Sequence, residues 1–269
     1  MDVTIVIPVF NQLHFTRQCL ESLKAAGCDD SMIVVVNNAS TDGTAEFLAS
    51  RPKLRAIQNP ENRACAAAWN QGFAAAKTQW TVFLNNDTLL PPGWLESLVD
   101  FAEKNGVDIA SPGMGEGDLD YDLAGYAREY VAGMKAVQRR GTANGACFMV
   151  ARKVFDTIGG FDENFRKGGN EDDDFFLRAR NAGFKLAISG CSYIHHFSRM
   201  TRKATGVLAG AGREETVGYF REKWRINWAK RRWLRWRRKT MGAWWRWNER
   251  SRHGHTLIEQ RIAGKRRYH

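Results

Sequence analysis

The chain has 269 residues, 43% apolar and 26% charged, with a formal net charge of +11. That is enough apolar chain for a full core, so a disordered protein is excluded, and no run of about 18 apolar residues predicts a transmembrane helix. The five cysteines are scattered, with no C-x-x-C pair, which argues against a disulfide framework or a cysteine zinc site.

The chain enters a strand at once, Thr4-Ile5-Val6-Ile7-Pro8-Val9-Phe10-Asn11, with no charged-then-apolar leader. A cytoplasmic protein is therefore expected. The strand reads as buried on both faces and stopped by Pro8. Apolar spacing predicts a helix over Leu13–Ala26, with Gly27 as its C-cap. A second strand, Met32–Val36, ends at Asn37-Asn38-Ala39-Ser40-Thr41-Asp42-Gly43-Thr44. A helix over Thr44–Ser50, a short strand over Leu54–Gln58 and an Ala-rich helix over Ala64–Lys77 follow. The third buried run, Trp80–Leu84, ends at Asn85-Asn86-Asp87, and Pro91-Pro92-Gly93 opens a helix over Trp94–Glu103.

Val107–Ser111 is predicted as a strand and the acidic, Gly-rich Gly113–Asp122 as a mobile loop beside the site. Gly145–Val150 reads as a buried strand leading to a helix over Arg152–Ile158. Glu171-Asp172-Asp173-Asp174 opens a helix to Ala182, and strands Leu186–Ser189 and Ser192–Ile194 deliver His195-His196. Alternating strands and helices of this length predict an α/β protein with a doubly wound, mostly parallel sheet. Such a sheet binds its ligand at the carboxyl ends of its strands, where this chain places its polar clusters.

The ordered set Ile7-Pro8-Val9-Phe10-Asn11, Asn38-x-Ser40-x-Asp42-Gly43-Thr44, Asn62 with Asn70 and Gly72, Asn85-Asn86-Asp87-Thr88 with Pro92-Gly93-Trp94, Gly160-Phe161-Asp162-Glu163, Glu171-Asp172-x-Asp174 with Arg178, and His195-His196 resembles the family 2 glycosyltransferases. The likeness spans roughly residues 2–200 and is nearest to bacterial enzymes adding rhamnose, galactose or glucose to polysaccharides and glycolipids. It implies the A-type fold and inverting transfer from a nucleotide-sugar donor (UDP-, dTDP- or GDP-linked) to a hydroxyl of a saccharide or lipid-linked acceptor.

The resemblance puts Asn85-Asn86-Asp87 at the family's D-x-D position, with Asn85 replacing the first carboxylate. Asp87 and one of His195 and His196 would then hold Mn²⁺ or Mg²⁺ against the donor diphosphate. Strand alternation lets only one histidine face inward, and the H-x-x-S spacing to Ser198 favours His195. Asp172 is implied as the general base that takes the acceptor proton, with Glu171 and Asp174 placing the acceptor or nearby loops. Without the resemblance, the acidic run reads rather as a helix N-terminus answering its dipole. The nucleotide-sugar contacts implied are Pro8, Val9, Phe10, Asn37, Asn38, Asn62, Arg63, Asn70, Asn85, Asn86 and Gly145. Asn37 replaces the aspartate many relatives use to read a pyrimidine, and Ala64 replaces a glycine. Arg63 reads as a phosphate partner or as an ordinary surface arginine.

Residues 213–269 carry 18 Lys/Arg against 5 Asp/Glu, and seven of the ten tryptophans, while residues 1–212 carry 22 against 24. We therefore divide the chain into a catalytic domain, 1–212, and a basic, Trp-rich helical extension, 213–269. Three readings of the extension stand: a helix at an anionic membrane surface, on the inner face of the plasma membrane; packing on the catalytic domain or in a homodimer; and binding of nucleic acid, the least favoured. Two rival functions stay open: a catalytically silent scaffold, suggested by Asn37, Asn85 and Ala64, and a nucleic-acid-binding protein acting through the tail.

Overall fold

The computed structural model describes residues 1–198, 211–262 and 265–268. Residues 199–210, which the sequence assigns to the end of the catalytic part, and residues 263, 264 and 269 of the extension lie outside the described residues.

The first half is a parallel α/β unit. Strands β1 (Val3–Val9), β2 (Ile33–Asn37), β3 (Arg55–Gln58) and β4 (Trp80–Leu84) lie in the order β3-β2-β1-β4, all parallel. Helices α1 (Leu13–Ala25), α2 (Thr44–Ala49) and α3 (Ala64–Ala75) connect them. β1, β2 and β4 are unbroken apolar runs because both faces of the sheet are covered. At Gly72 of α3 an added Cβ would lie 2.1 Å from Val6 Cγ1, so this glycine brings the helix against β1. β1 does not stop at Pro8 but runs on to Val9. The Val9 carbonyl accepts from Asn38 on the β2 side. Alternation therefore turns the missing Pro8 donor to the other side, where pairing with β4 has ended at Val6–Phe83.

The second half adds antiparallel strands. After β5 (Thr88–Leu89) and α4 (Trp94–Asn105) come β6 (Ile109–Gly117), α5 (Leu123–Met134), β7 (Gln138–Arg140) and β8 (Cys147–Ala151). Then follow α6 (Arg152–Ile158), α7 (Glu171–Asn181) and β9 (Leu186–His196). β8 lies antiparallel between β4 and β6, so the sheet is mixed. β9 is one strand, not two, and runs parallel to β6 through a register shift at Pro112/Gly113. β5 and β7 pair with β9. Phe83, Phe148, Phe155, Phe161 and Phe175 pack between β4, β8 and α7, with Phe161 and Phe175 stacked at 4.4 Å. This cluster seats the loop before α7.

Residues 113–117 are strand, not mobile loop. Gly113 and Gly115 are buried in β6, and a Cβ on either would lie 2.2 Å from the hydroxyl of Tyr130 or Tyr193. Glycine here serves close packing rather than freedom. Tyr126, Tyr130 and Met134 of α5 form a second core with Ile188, Tyr193 and Leu257. The sequence pattern conceals α5 because Gly125 and Gly133 interrupt its apolar spacing.

The extension is not helical throughout. Helices α8 (Ala211–Lys223) and α9 (Trp228–His253) precede β10 (Ile258–Ile262), which joins the sheet parallel to β6, and β11 (Lys265–Tyr268) pairs with β10. Arg139 and Glu249 make a buried bidentate pair, both contacts 2.6 Å, and the second Glu249 oxygen also accepts from the Leu257 N–H. The chain end is therefore built into the fold.

Candidate functional site

The carboxyl ends of β1, β2, β3 and β9 lead into residues with left-handed backbone: Asn11 (φ 54°), Gln12 (61°), Ala39 (62°), Ala64 (63°) and Ser198 (60°). Each such non-glycine residue costs about 1–2 kcal/mol, and strain of this kind concentrates in binding loops. Hydrogen bonds hold the loops in this shape. Asn11 N–H donates to Ser40 Oγ at 2.8 Å, and Thr41 N–H donates to Asn11 Oδ1 at 2.7 Å. Asp42 accepts from Leu13 N–H at 2.8 Å and from Thr44 Oγ1 at 2.6 Å. Burial works to raise the Asp42 pKa, but these bonds outweigh it and hold the group below its usual value.

Asn37 and Asn38 serve the same scaffold. Asn37 donates to Gln58 Oε1 at 2.6 Å and accepts from Ser40 N–H at 3.1 Å. Asn38 donates to the Ala64 carbonyl at 3.1 Å and accepts from Asn59 at 2.7 Å. The Asn62 side-chain carbonyl accepts from Ala64 N–H at 2.9 Å, and Arg63 lies exposed, 3.8 Å from Glu163. Val9 is a core residue, while Pro8 and Phe10 are half-buried at the ligand edge. Asn70 uses both ends of its amide on another loop: it accepts from Phe161 N–H at 2.8 Å and donates to Phe161 O and Glu163 Oε1, both at 2.9 Å. A Cβ at Gly160 would strike Asn70 Oδ1 at 2.5 Å. Asn70, expected from the sequence as a ligand contact, thus clamps the Gly160–Glu163 loop with its amide.

At the end of β4 the asparagines diverge. Asn86 is buried and donates to Thr16 Oγ1 at 3.0 Å on the first turn of α1. Asn85 is half-buried, and its N–H donates to the Ala146 carbonyl at 2.9 Å. Asp87 faces His196 across the β5–β9 pairing, with Nε2 to Oδ1 at 3.2 Å. Glu116 of β6 stands 3.5 Å from the other ring nitrogen. Burial works to lower the His196 pKa, but the Asp87 and Glu116 carboxylates raise it to about 9. His195 points to the opposite side, where Tyr121 Oη lies 2.9 Å from its Nδ1, and burial followed by the His196 charge lowers it to about 4. The histidine that meets Asp87 is therefore His196, not the His195 favoured by the H-x-x-S spacing, which does not encode the side of β9 from which each ring projects.

The Asp87–His196 pair fits a hard divalent ion in its donor chemistry. Two cis ligands of an octahedral ion at about 2.1 Å stand about 3 Å apart, close to the 3.2 Å observed. No three His, Cys, Asp or Glu among the described residues come together as a closed metal cage. A site with two protein donors leaves positions for phosphate oxygens and water, as Mg²⁺ and Mn²⁺ sites on nucleotides commonly do.

Asp172 lies half-buried on the first turn of α7, against Gly145. A Cβ at Gly145 would sit 1.9 Å from Asp172 Oδ2, so the glycine makes room for the carboxylate. Gly145 adjoins Ala146, which is bonded to Asn85, so the start of α7 and the end of β4 share one edge. Asp173 is exposed and accepts from Asn170, whereas Glu171 is buried. Asp174 is fully buried and accepts from Arg178 at 2.9 Å, Lys223 at 2.8 Å and the Trp224 indole at 3.0 Å. Lys223 also reaches Asp162 at 2.6 Å, and Tyr219 donates to Asp162 at 2.8 Å. Asp174 is thus a docking point for α8, not an open acceptor contact. Glu116, Tyr219, Lys223 and Trp224 are not foreseen from the sequence. Only the amphipathic pattern Phe220–Trp224 hints that this part of the tail covers something.

The family model for glycosyl transferase family 2 matches residues 4–168. A glycosyltransferase of Haloferax volcanii, AglE, is 26% identical over 224 residues, covering 77% of this chain and 72% of the relative. The pre-mycofactocin glycosyltransferase of Mycobacterium tuberculosis is 27% identical over 209 residues, 74% of this chain but 43% of that protein. The crystal structure of GalNAc-T7 with UDP, GalNAc and Mn²⁺ superposes with a TM-score of 0.61 at 17% identity, over 73% of this chain and 44% of its own. S. aureus TarS gives 0.58 at 17% identity, over 74% and 61%. The chain spans less than half of the mycobacterial relative and of GalNAc-T7.

Proposed function

We propose an inverting, metal-assisted sugar transfer for this chain, which belongs to glycosyl transferase family 2. The donor is a UDP-, dTDP- or GDP-sugar, and the acceptor is a hydroxyl of a saccharide or a lipid-linked saccharide. The observation that carries the reading is that Asp87 with His196 follows the end of β4, to which Gly145, with Asp172 against it, is joined through the Asn85–Ala146 hydrogen bond.

The strained loops after β1, β2 and β3 form the nucleotide cradle, with Pro8 and Phe10 at its floor and Arg63 able to meet phosphate oxygens. Asp87 and His196 would hold a divalent ion, Mn²⁺ or Mg²⁺, which would supply Lewis-acid stabilisation of charge on the departing diphosphate. Metal binding requires His196 to give up its proton, which its carboxylate neighbours otherwise retain. Asp172 accepts the acceptor hydroxyl proton as the hydroxyl oxygen bonds to the anomeric carbon. The bond from that carbon to the diphosphate oxygen breaks, and its electron pair leaves with the nucleoside diphosphate. Asn70 and Asp174 act at one remove by fixing the loop before α7 and the helix itself.

The test is a donor screen by thermal shift and hydrolysis with Mn²⁺, Mg²⁺ or EDTA, on wild type, Asp87→Ala and Asp172→Asn. One donor should stabilise the wild type only with metal. Asp87→Ala should lose that shift, while Asp172→Asn keeps it and loses transfer. Silence of the wild type across all donors would instead favour the catalytically silent scaffold.

A further inference from the structure

Helix α9 presents two unlike faces. At about 100° per residue, Trp233, Trp236, Trp244 and Trp247 fall within about 80° of its circumference. All four are exposed, by 52% to 68%. Ala229, Thr240, Ala243 and Ser251 occupy the same side, so a stripe about 100° wide carries no charge along about 33 Å of helix. Arg232, Lys239 and Arg250 border it on one edge, Lys230 and Arg237 on the other. Arg237 lies over the Trp233 ring at 5.3 Å. The opposite side bears Trp245 and Glu249, which pack on Arg139 of the protein body. The stripe therefore points away from the core, on a helix held by a buried ion pair.

A monomer seldom leaves four indoles exposed in one row without a partner. Residues 228–253 contain ten Lys/Arg and one acidic residue, Glu249, which the Arg139 pair already occupies. A second copy of the helix would bring cation row against cation row with no carboxylate to pair them. A nucleic-acid duplex offers phosphates but no apolar layer for the indoles. An anionic bilayer offers both: lipid phosphates for the bordering cations and the headgroup–acyl boundary for tryptophan. Among the described residues no helix is long and apolar enough to cross a membrane, so contact along the surface is the geometry available.

We propose that α9 is an interfacial membrane helix, with the Trp233–Trp236–Trp244–Trp247 stripe seated in the headgroup layer of an anionic bilayer and the bordering lysines and arginines on lipid phosphates. Trp224, four residues before α9, donates to Asp174 on α7. The membrane-bound helix therefore sits within one turn's length of chain from the candidate catalytic helix, suited to acceptors held at the bilayer.

The test is flotation of the full chain with vesicles of phosphatidylcholine alone and of phosphatidylcholine mixed with phosphatidylglycerol, at low and high salt. The wild type should float only with the anionic vesicles, less at high salt, with a blue shift of tryptophan emission. The quadruple variant W233S/W236S/W244S/W247S should lose about tenfold or more in partition, with its melting temperature and donor hydrolysis unchanged. Arg232→Gln, Arg237→Gln and Lys239→Gln should each lose about fivefold, the equivalent of about 1 kcal/mol per cation. Should the quadruple variant fold poorly, W236S and W247S report the same loss stepwise. No flotation of the wild type at low salt would overturn the proposal. So would equal flotation of a folded stripe variant, a wild-type dimer that the variant dissociates, or tighter binding to an oligonucleotide than to vesicles at equal salt.

Discussion

Alanine at Gly145 tests the proposed base without touching it. The backbone at Gly145 is not left-handed, so alanine meets no φ penalty and the effect is steric. The new Cβ would lie 1.9 Å from Asp172 Oδ2, 2.8 Å from Cγ and 3.2 Å from Cβ. No shift of a few tenths of an ångström relieves three such contacts together. The Asp172 side chain must rotate out of its place, or the first turn of α7 must move. Overpacking of this sort costs about 1–3 kcal/mol of stability, leaving a folded protein. General-base catalysis contributes about 10²–10⁴-fold, so kcat for transfer should fall at least 10²-fold. The metal-dependent thermal shift by donor should persist, because Asp87 and His196 lie beside β5 and on β9, away from this contact. The double variant Gly145→Ala/Asp172→Asn should be little slower than Asp172→Asn alone, since both remove one function. If Gly145→Ala keeps turnover within about threefold of wild type, Asp172 is not positioned by this contact and the assignment of the base fails.

Three further outcomes follow from the same geometry. Ala64→Gly relieves a residue at φ 63°; the left-handed penalty of about 1–2 kcal/mol, less the about 0.5–1 kcal/mol entropic cost of glycine, leaves a gain near 0.5–1 kcal/mol in urea unfolding. Asp174→Ala should cost about 3 kcal/mol, the low end for breaking a buried pair, because Lys223 keeps Asp162 and Arg178 keeps the carbonyls of Ile158 and Gly160; protease sensitivity near Tyr219 should rise with it. Burial works to raise the Asp162 pKa, but hydrogen bonds from Lys223, Asn164 and Tyr219 outweigh it and hold the group at about 2 against its ordinary 3.8. A depressed folded-state pKa adds stability above 3.8 that is lost as pH falls toward 2. The drop in Tm across that window should be shallower in Asp162→Asn than in the wild type.

The parallel half of the fold was legible because its signals are local. Buried runs such as Ile33–Val36 and Trp80–Leu84 declare themselves by composition, and each ends in a polar turn. Strand direction is not local, so nothing in Cys147–Ala151 announces that it runs antiparallel to β4. Glycine misled in both directions: Gly113 and Gly115 read as loop but exist to admit tyrosine hydroxyls, and Gly125 and Gly133 hid α5. In the site, residue types were readable but the destinations of side chains were not. Asn38, Asn70 and Asn86 look like ligand contacts, yet spend their amides on loops and on Thr16.

The tail shows why composition alone cannot assign a role. Its residues do three things that the same charge count would describe. Tyr219, Lys223 and Trp224 cap the half-buried Asp162 and the buried Asp174 carboxylates. Glu249 is buried against Arg139 of β7, and Glu259 and Arg261 of β10 are buried, where Arg261 pairs with Asp120 and lies over the Tyr121 ring at 3.8 Å. The outer face of α9 leaves its bordering cations and the Trp233, Trp236, Trp244 and Trp247 indoles in solvent. A protein truncated before Arg213 would therefore lose more than a surface: Asp162 and Asp174 would lose Lys223, and β6 would lose the strand beside Met114–Gly117. A deletion that abolished both vesicle binding and transfer would say nothing about the membrane, whereas serine at four exposed tryptophans separates the two.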